Sequence, residues 1–232
     1  RRNLYHPLLR WPTVRALERA AAVYFSTPDL QAHVAKVRPD ALFLPNPVNT
    51  HRFRPGPGDG SAQLRLILIS RLWDIKGIDM AFQVAREVRQ RVPSLAIDAF
   101  AWGPEVKRYR KSQDVTFIPF VPYAQMPDLI NRYDIVIGQF LLGSIGMSEL
   151  ESMACGKPVV SYFRYPQFYD QPPPVFSAAD VATAVEHILA LVDDPSLRRE
   201  AGERGREWVL RHHHYLEIAR RVEQAYQSFL NG

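Results

Sequence analysis

The sequence predicts an α/β fold, a Rossmann-like parallel sheet flanked by helices. From Leu64 onward, short apolar runs alternate with amphipathic helical windows, the order expected when helices form the crossovers between parallel strands. The runs are continuously apolar instead of alternating, so both faces of each strand are expected to be covered. Length and composition agree: 232 residues, 47% hydrophobic and 23% charged, suit a globular chain holding one large domain and part of another.

The elements follow in chain order. A small unit comes first: a helix around Thr13 to Arg19, a strand "AAVYFS", a helix from Pro28 to Val37 capped by Ser26 or Thr27, and a strand "ALFLP". The stretch "NPVNTHRFRPGPGDGSAQ" then concentrates prolines and glycines and reads as a linker. Five apolar runs are expected as the central strands: "LRLILIS" (64 to 70), "LAIDAFAW" (95 to 102), "VTFIPF" (115 to 120), "DIVIG" (134 to 138) and "PVVSYF" (158 to 163). Ala81, Val84, Ala85 and Val88 repeat at helical spacing, and "QMPDLINRY" suits a short helix. At the far end, Val181 to Leu191, "DPSLRREAGERGREWVLRH" and "YLEIARRVEQAYQSFL" read as three helices, the last with Ile218, Val222, Ala225 and Phe229 on one face. The expected division is 1–50 as the end of a preceding domain and start of the linker, 51–63 as linker, 64–211 as the main domain and 212–232 as a C-terminal helix.

Composition excludes several classes of function. No apolar run reaches the roughly eighteen residues of a membrane span. The single cysteine, Cys155, cannot form an internal disulfide and is expected as a small buried apolar residue. A net charge of +5, spread without a basic block, favours an anionic ligand over nucleic acid. The chain opens on Arg1, and a fragment of something longer is expected. Its first residues, "RRNLYHPLLRW", interleave bases with aromatics, as either a contact with an anionic lipid surface or the cut end of a neighbouring domain would. His212, His213 and His214 are adjacent on a helix and so do not converge on one metal ion.

Ligands of open α/β sheets bind at the carboxyl ends of the strands, beside helix N-termini that favour anions. Two loops qualify. In "SRLWDIKGID", Arg71 and Lys76 follow the first central strand and suit a diphosphate, arginine as a forked donor and lysine as a point charge. The alternative is an Arg71–Asp74 pair with a solvated lysine. In "LLGSIGMSELE", Gly143 and Gly146 permit close backbone approach, and the amides of Gly146, Met147 and Ser148 begin a helix. At 100° per residue Met147, Leu150, Met153 and Ala154 form an apolar stripe, and Glu151 falls inside it. Glu149 and Ser152 point the opposite way, toward solvent. A buried acid needs donors, and Glu151 is placed to take them from neutral hydroxyls such as those of a ribose, or from Arg71 or Lys157 within the chain. Gly156 and Pro158 stop this helix. Trp73 and Trp102 either pack or stack on a base or sugar.

From about Ala22 onward, the chain resembles the C-terminal half of a GT-B retaining glycosyltransferase, of the group 1 or family-four-like kind. Four stretches carry the resemblance in order: "LPNPVNTHRFRP" is similar to the family's domain linker, "LISRLWDIKGID" to its phosphate loop, "FAWGPE" with "VTFIPFVPYAQMPDLINRYDIVI" to its middle strands, and "SELESMACGKPVV" to its donor-ribose helix. The resemblance implies that 1–50 ends an acceptor domain, that 64–211 binds a nucleotide-sugar donor, and that residues 212–232 return toward the acceptor domain. It implies Arg71 and Lys76 on the donor diphosphate as the catalytic pair, amides of Gly146, Met147 and Ser148 on the phosphates, and Glu151 on the ribose. One position departs: the family has a glutamate eight residues before the ribose-binding one, against the donor sugar, and here Gly143 stands there. A branch with Gln where Gln139 stands, and Gly for that glutamate, reads similarly.

The implied function is transfer of a glycosyl group from a nucleotide sugar to a saccharide or lipid-linked acceptor, by a cytoplasmic enzyme that sits at most peripherally at the inner membrane face. No cofactor or metal is expected, since no Asp-x-Asp occurs and cations with helix amides can stabilise the leaving diphosphate. The fragment alone is expected to be inactive. Two rivals stand beside this reading: a nucleotide-sugar epimerase of the same architecture, and a non-catalytic nucleotide-sugar-binding scaffold, motivated by Gly143.

Overall fold

The computed structural model describes residues 7–230 apart from Asp59 and Ala62, and leaves out the side chains of 7–10, 229 and 230. The basic opening residues 1–6 and the side chain of Phe229 lie outside the described residues. Helix α1 (Pro7–Arg19) precedes β1 (Tyr24–Phe25), a 3-10 turn (Pro28–Leu30) that runs into α2 (Gln31–Val34), and β2 (Leu42–Phe43), which pairs with β1 in parallel. The predicted helix over 28–37 is therefore shorter, ending ahead of the Arg38-Pro39 pair, where proline disfavours a helical predecessor. Nor is the expected cap made: Thr27 precedes the turn with no side-chain hydrogen bond.

The main unit comprises β3 (Arg65–Leu68), α3 (Ile78–Arg91), β4 (Ala96–Phe100), α4 (Val106–Tyr109), β5 (Thr116–Ile118), α5 (Met126–Asn131) and β6 (Ile135–Ile137). It continues through α6 (Met147–Ala154), β7 (Val159–Ser161), β8 (Phe176–Ser177), α7 (Val181–Asp193), α8 (Pro195–His212) and α9 (Tyr215–Leu230). Six strands pair in the order β5-β4-β3-β6-β7-β8, every pairing parallel. This is the open, helix-flanked α/β sheet that the apolar runs predict. Only β8 has no counterpart among those runs; it is two residues long, inside a proline-rich stretch.

Alternation along each strand builds two cores. Leu66 and Leu68, with Ile97 and Ile135, meet α3 and α7 on one face. Ile67 and Ile69, with Val136 and Val159, meet α5, α6 and α8 on the other. Asp98 interrupts the apolar run of β4, and its carboxylate is satisfied by Arg65 at 2.9 Å and the Tyr133 hydroxyl at 2.7 Å.

Helix ends follow local chemistry. Asp180 caps α7 through the Thr183 amide at 2.9 Å, and Asp194 caps α8 through Ser196 and Leu197, ahead of Pro195. Helix α6 ends in a Schellman motif: Gly156, at φ +74°, donates to Met153 O and Lys157 to Ser152 O. The linker is tied down by Val48, which exchanges hydrogen bonds with His213 O and the Tyr215 amide. His213 turns its Nδ1 to Asn46 O at 2.7 Å, and burial depresses its pKa to about 4, so it is neutral at physiological pH. His212 lies against Trp208 and Asp170, and His214 against Tyr215. Val222 and Ala225 of α9 share a groove with Ala21, Tyr24 and Leu44, so the last helix runs beside the first small unit. No helix among the described residues is long and apolar enough to cross a membrane.

Candidate functional site

Strands β3 and β6 are neighbours and parallel, so the loops that follow them open on the same rim of the sheet. After β3 the chain forms a 3-10 turn, Asp74–Lys76, closed by Gly77 in the left-handed region at φ +71°. A Cβ at Gly77 would stand 3.0 Å from the Leu141 amide nitrogen, so glycine is what lets this turn press against the β6–α6 loop. Two bonds fasten the contact. Lys76 Nζ donates to Gln139 Oε1 at 2.9 Å, and the Phe140 amide donates to Lys76 O at 3.0 Å.

Arg71 leaves the same strand but is held differently. Its guanidinium lies 4.8 Å from the centroid of Trp102 and 5.4 Å from that of Trp73. Trp102 in turn meets Phe120 at 4.6 Å, and all three rings are substantially exposed. The cation thus stands on an aromatic shelf formed by the ends of β3, β4 and β5, and Asp74 pairs with Arg108 at 3.5 Å.

On α6, Glu151 is buried as predicted, at 5% exposure. Neither Arg71 nor Lys157 is its hydrogen-bond partner: the Tyr123 hydroxyl donates to its Oε1 at 2.8 Å, while Lys157 donates to Asn131 O. Tyr123 is itself 52% exposed and carries Arg52 over its ring at 4.9 Å. Burial raises the Glu151 pKa to about 7, against the opposing pull of the Tyr123 hydrogen bond and the Arg52 charge. Tyr123 lies on a different loop, 28 residues away in the chain, and nothing local in the sequence pointed to it.

Three expectations for α6 are corrected. Glu149 does not face solvent; it is 3% exposed and accepts from the Gln139 amide at 2.9 Å. Ser152 is likewise buried, its hydroxyl bonded to Ser148 O at 2.6 Å. Met147, placed in the apolar stripe, is 37% exposed. A helical wheel sees only the helix axis, whereas the end of β6 and the loop after it cover the side of α6 that carries Glu149 and leave Met147 open. The signal that could have found Glu149 is its spacing: Gly146-x-x-Glu149 places an acid at the third helical position, from which it reaches back to the cap amide. Met147 and Ser148 supply the first-turn amides that have no partner within the helix.

Gly143 adopts φ +73°, and a side chain there would collide with the stem of Arg164, whose amide donates to Gly143 O at 3.1 Å. A basic stem therefore lies over the position where the resembling family carries an acid.

A family model described as glycosyl transferase-like matches residues 81–224. Among curated proteins, a GDP-mannose-dependent alpha-(1-6)-phosphatidylinositol monomannoside mannosyltransferase of Mycolicibacterium smegmatis is 28% identical over 195 residues, covering 72% of this chain and 51% of that protein. The phosphatidylinositol N-acetylglucosaminyltransferase gpi3 subunit of Schizosaccharomyces pombe is 23% identical, covering 80% of this chain and 43% of its own length. The chain thus spans about half the length of these relatives. Among solved structures, Anabaena HepE in complex with UDP and glucose superposes with a TM-score of 0.76 at 17% identity, over 95% of this chain and 66% of that one. Sucrose-phosphate synthase from Thermosynechococcus elongatus gives 0.75 at 20% identity, over 98% and 63%. Both likenesses are of fold.

Proposed function

Because the chain belongs to the glycosyl transferase-like family, we propose that it is the donor-binding part of an enzyme that moves a glycosyl group from a nucleotide sugar to a saccharide or lipid-linked acceptor, with retention and without a metal ion. The observation that carries this reading is the 2.9 Å bond from Lys76 to Gln139, which joins the cation-bearing loop to the loop of free amides and buried acid. In this reading one rim offers the cations Arg71 and Lys76, the amides of Gly146, Met147 and Ser148, and Glu151 to a single ligand. A nucleoside diphosphate fits: its phosphates take Arg71, Lys76 and the amides, and its ribose hydroxyls donate to Glu151 in place of Tyr123. The exposed faces of Trp102 and Phe120 beside Arg71 suit the base.

The chemistry follows from where charge grows. As the bond between the sugar and the diphosphate breaks, negative charge gathers on the leaving phosphate oxygen. Cations and amides already oriented there bind that state more tightly than the intact donor, which lowers the barrier. HepE, of the same fold, is solved with UDP-glucose, and the two curated relatives act on phosphatidylinositol-bearing compounds by name; these facts support a nucleotide-sugar donor and a lipid-linked acceptor. Turnover of UDP-, GDP- and ADP-sugars by the full-length protein tests the proposal: transfer, or slow hydrolysis of one donor, is expected. Tight donor binding with neither reaction would replace the enzyme by a nucleotide-sugar-binding scaffold, the reading that Gly143 favours.

A further inference from the structure

The donor site described above leaves one buried acid without a task. Glu149 sits in a hollow that glycine keeps open on two sides: a Cβ at Gly138 would stand 2.6 Å from its Oε1, and one at Gly146 would overlap its Oε2. Its Oε1 accepts the Gln139 amide, which lies just past the end of β6 and not in the helix. Closing a helix start does not require this. A serine or aspartate at the cap position serves first-turn amides at the surface, without desolvating an acid.

What distinguishes Glu149 is its neighbour. The peptide it fixes is that of Gln139, and both ends of the Gln139 side-chain amide are committed: Nε2 donates to Ser144 O, and Oε1 accepts from Lys76 Nζ. Because the Ser144 carbonyl can only accept, the amide must turn its oxygen to Lys76. Burial raises the pKa of the Glu149 carboxyl, against the opposing pull of the Gln139 amide and the Lys76 ammonium.

We infer that Glu149 is a positioning residue: by pinning the end of β6 to the start of α6 it orients Gln139, and through Gln139 it holds the Lys76 ammonium at the rim. The inference rests on the reading of Lys76 as a donor-diphosphate cation.

A double-mutant cycle on the full chain separates this role from mere closure of the helix. The affinity of UDP, GDP or ADP, whichever binds the parent most tightly, is measured by calorimetry for the parent, Lys76→Ala, Glu149→Ala and the double variant. Glu149→Ala, which removes the oxygen that accepts the Gln139 amide, is expected to weaken binding about tenfold in the parent and less than about twofold in the Lys76→Ala background, the scale of one hydrogen bond to a charged group. The same factor in both backgrounds would assign Glu149 to helix closure alone and overturn the inference, as would full affinity in Glu149→Ala. Failure of the donor site itself has another signature, Lys76→Ala binding like the parent, and it removes the inference too. If Glu149→Ala lacks the parent's cooperative thermal transition, Glu149→Asp, which withdraws the carboxyl by one methylene, takes its place under the same criteria.

Discussion

Lys76→Ala is expected to lower kcat/KM for glycosyl transfer by the full-length protein roughly a hundred- to a thousandfold, about 3 to 4 kcal/mol of transition-state stabilisation. The size follows from how the ammonium is held. Gln139 fixes the head of the side chain, Phe140 fixes its backbone, and Gly77 seats the turn that carries it. A cation oriented before the reaction does not reorganise as charge develops, so its loss falls mainly on kcat. Arg71, resting on two exposed rings, is freer to move and is expected to contribute more to donor binding than to turnover. Lys76→Arg should not restore the rate, because the planar fork of a guanidinium does not reproduce a compact ammonium against Gln139. Steady-state kinetics decide the matter, and a loss confined to KM would remove Lys76 from charge stabilisation.

Glu151→Gln is expected to change how stability depends on pH. Burial lifts the Glu151 carboxyl from an ordinary 4.5 to about 7, so the folded chain holds that proton more tightly than the unfolded chain. The contribution is fully present below about pH 4.5 and fades as pH rises to about 7, beyond which it is gone. A gap of this size is worth about 3 kcal/mol at most. Urea unfolding of the parent should therefore lose up to about 3 kcal/mol more than Glu151→Gln between pH 4.5 and 8; parallel profiles would show that the acid is not held in this way. The same cost serves binding. An ionised carboxylate kept in a poorly solvated place gains from ligand hydroxyls, so nucleotide affinity should rise with pH through about 7 more steeply in the parent than in the variant, where only the nucleotide's terminal phosphate adds charge in this range.

The architecture was legible where a signal is local and repeated. Runs such as "LRLILIS" have the length and continuous hydrophobicity of a strand covered on both faces, and Asp180, Asp194 and Gly156 act through amides within a few residues. β8 was not legible, because two residues among prolines carry no period. Within the site, Arg71, Lys76 and the helix-start amides could be placed from the order of strand, loop and helix. What that order cannot contain is a partner from elsewhere in the chain. Tyr123 reaches Glu151 only because the loop after β5 folds over α6. Glu149 is buried only because the ends of β6 and the turn at Lys76 close around it.

That one rim grips the nucleotide's phosphates and its ribose together is tested most directly by calorimetry with nucleoside diphosphates on the parent chain, Arg71→Ala and Glu151→Ala. Each substitution should weaken binding by at least about 1 kcal/mol, the scale of a lost charged hydrogen bond. Parental affinity in both variants would contradict the account.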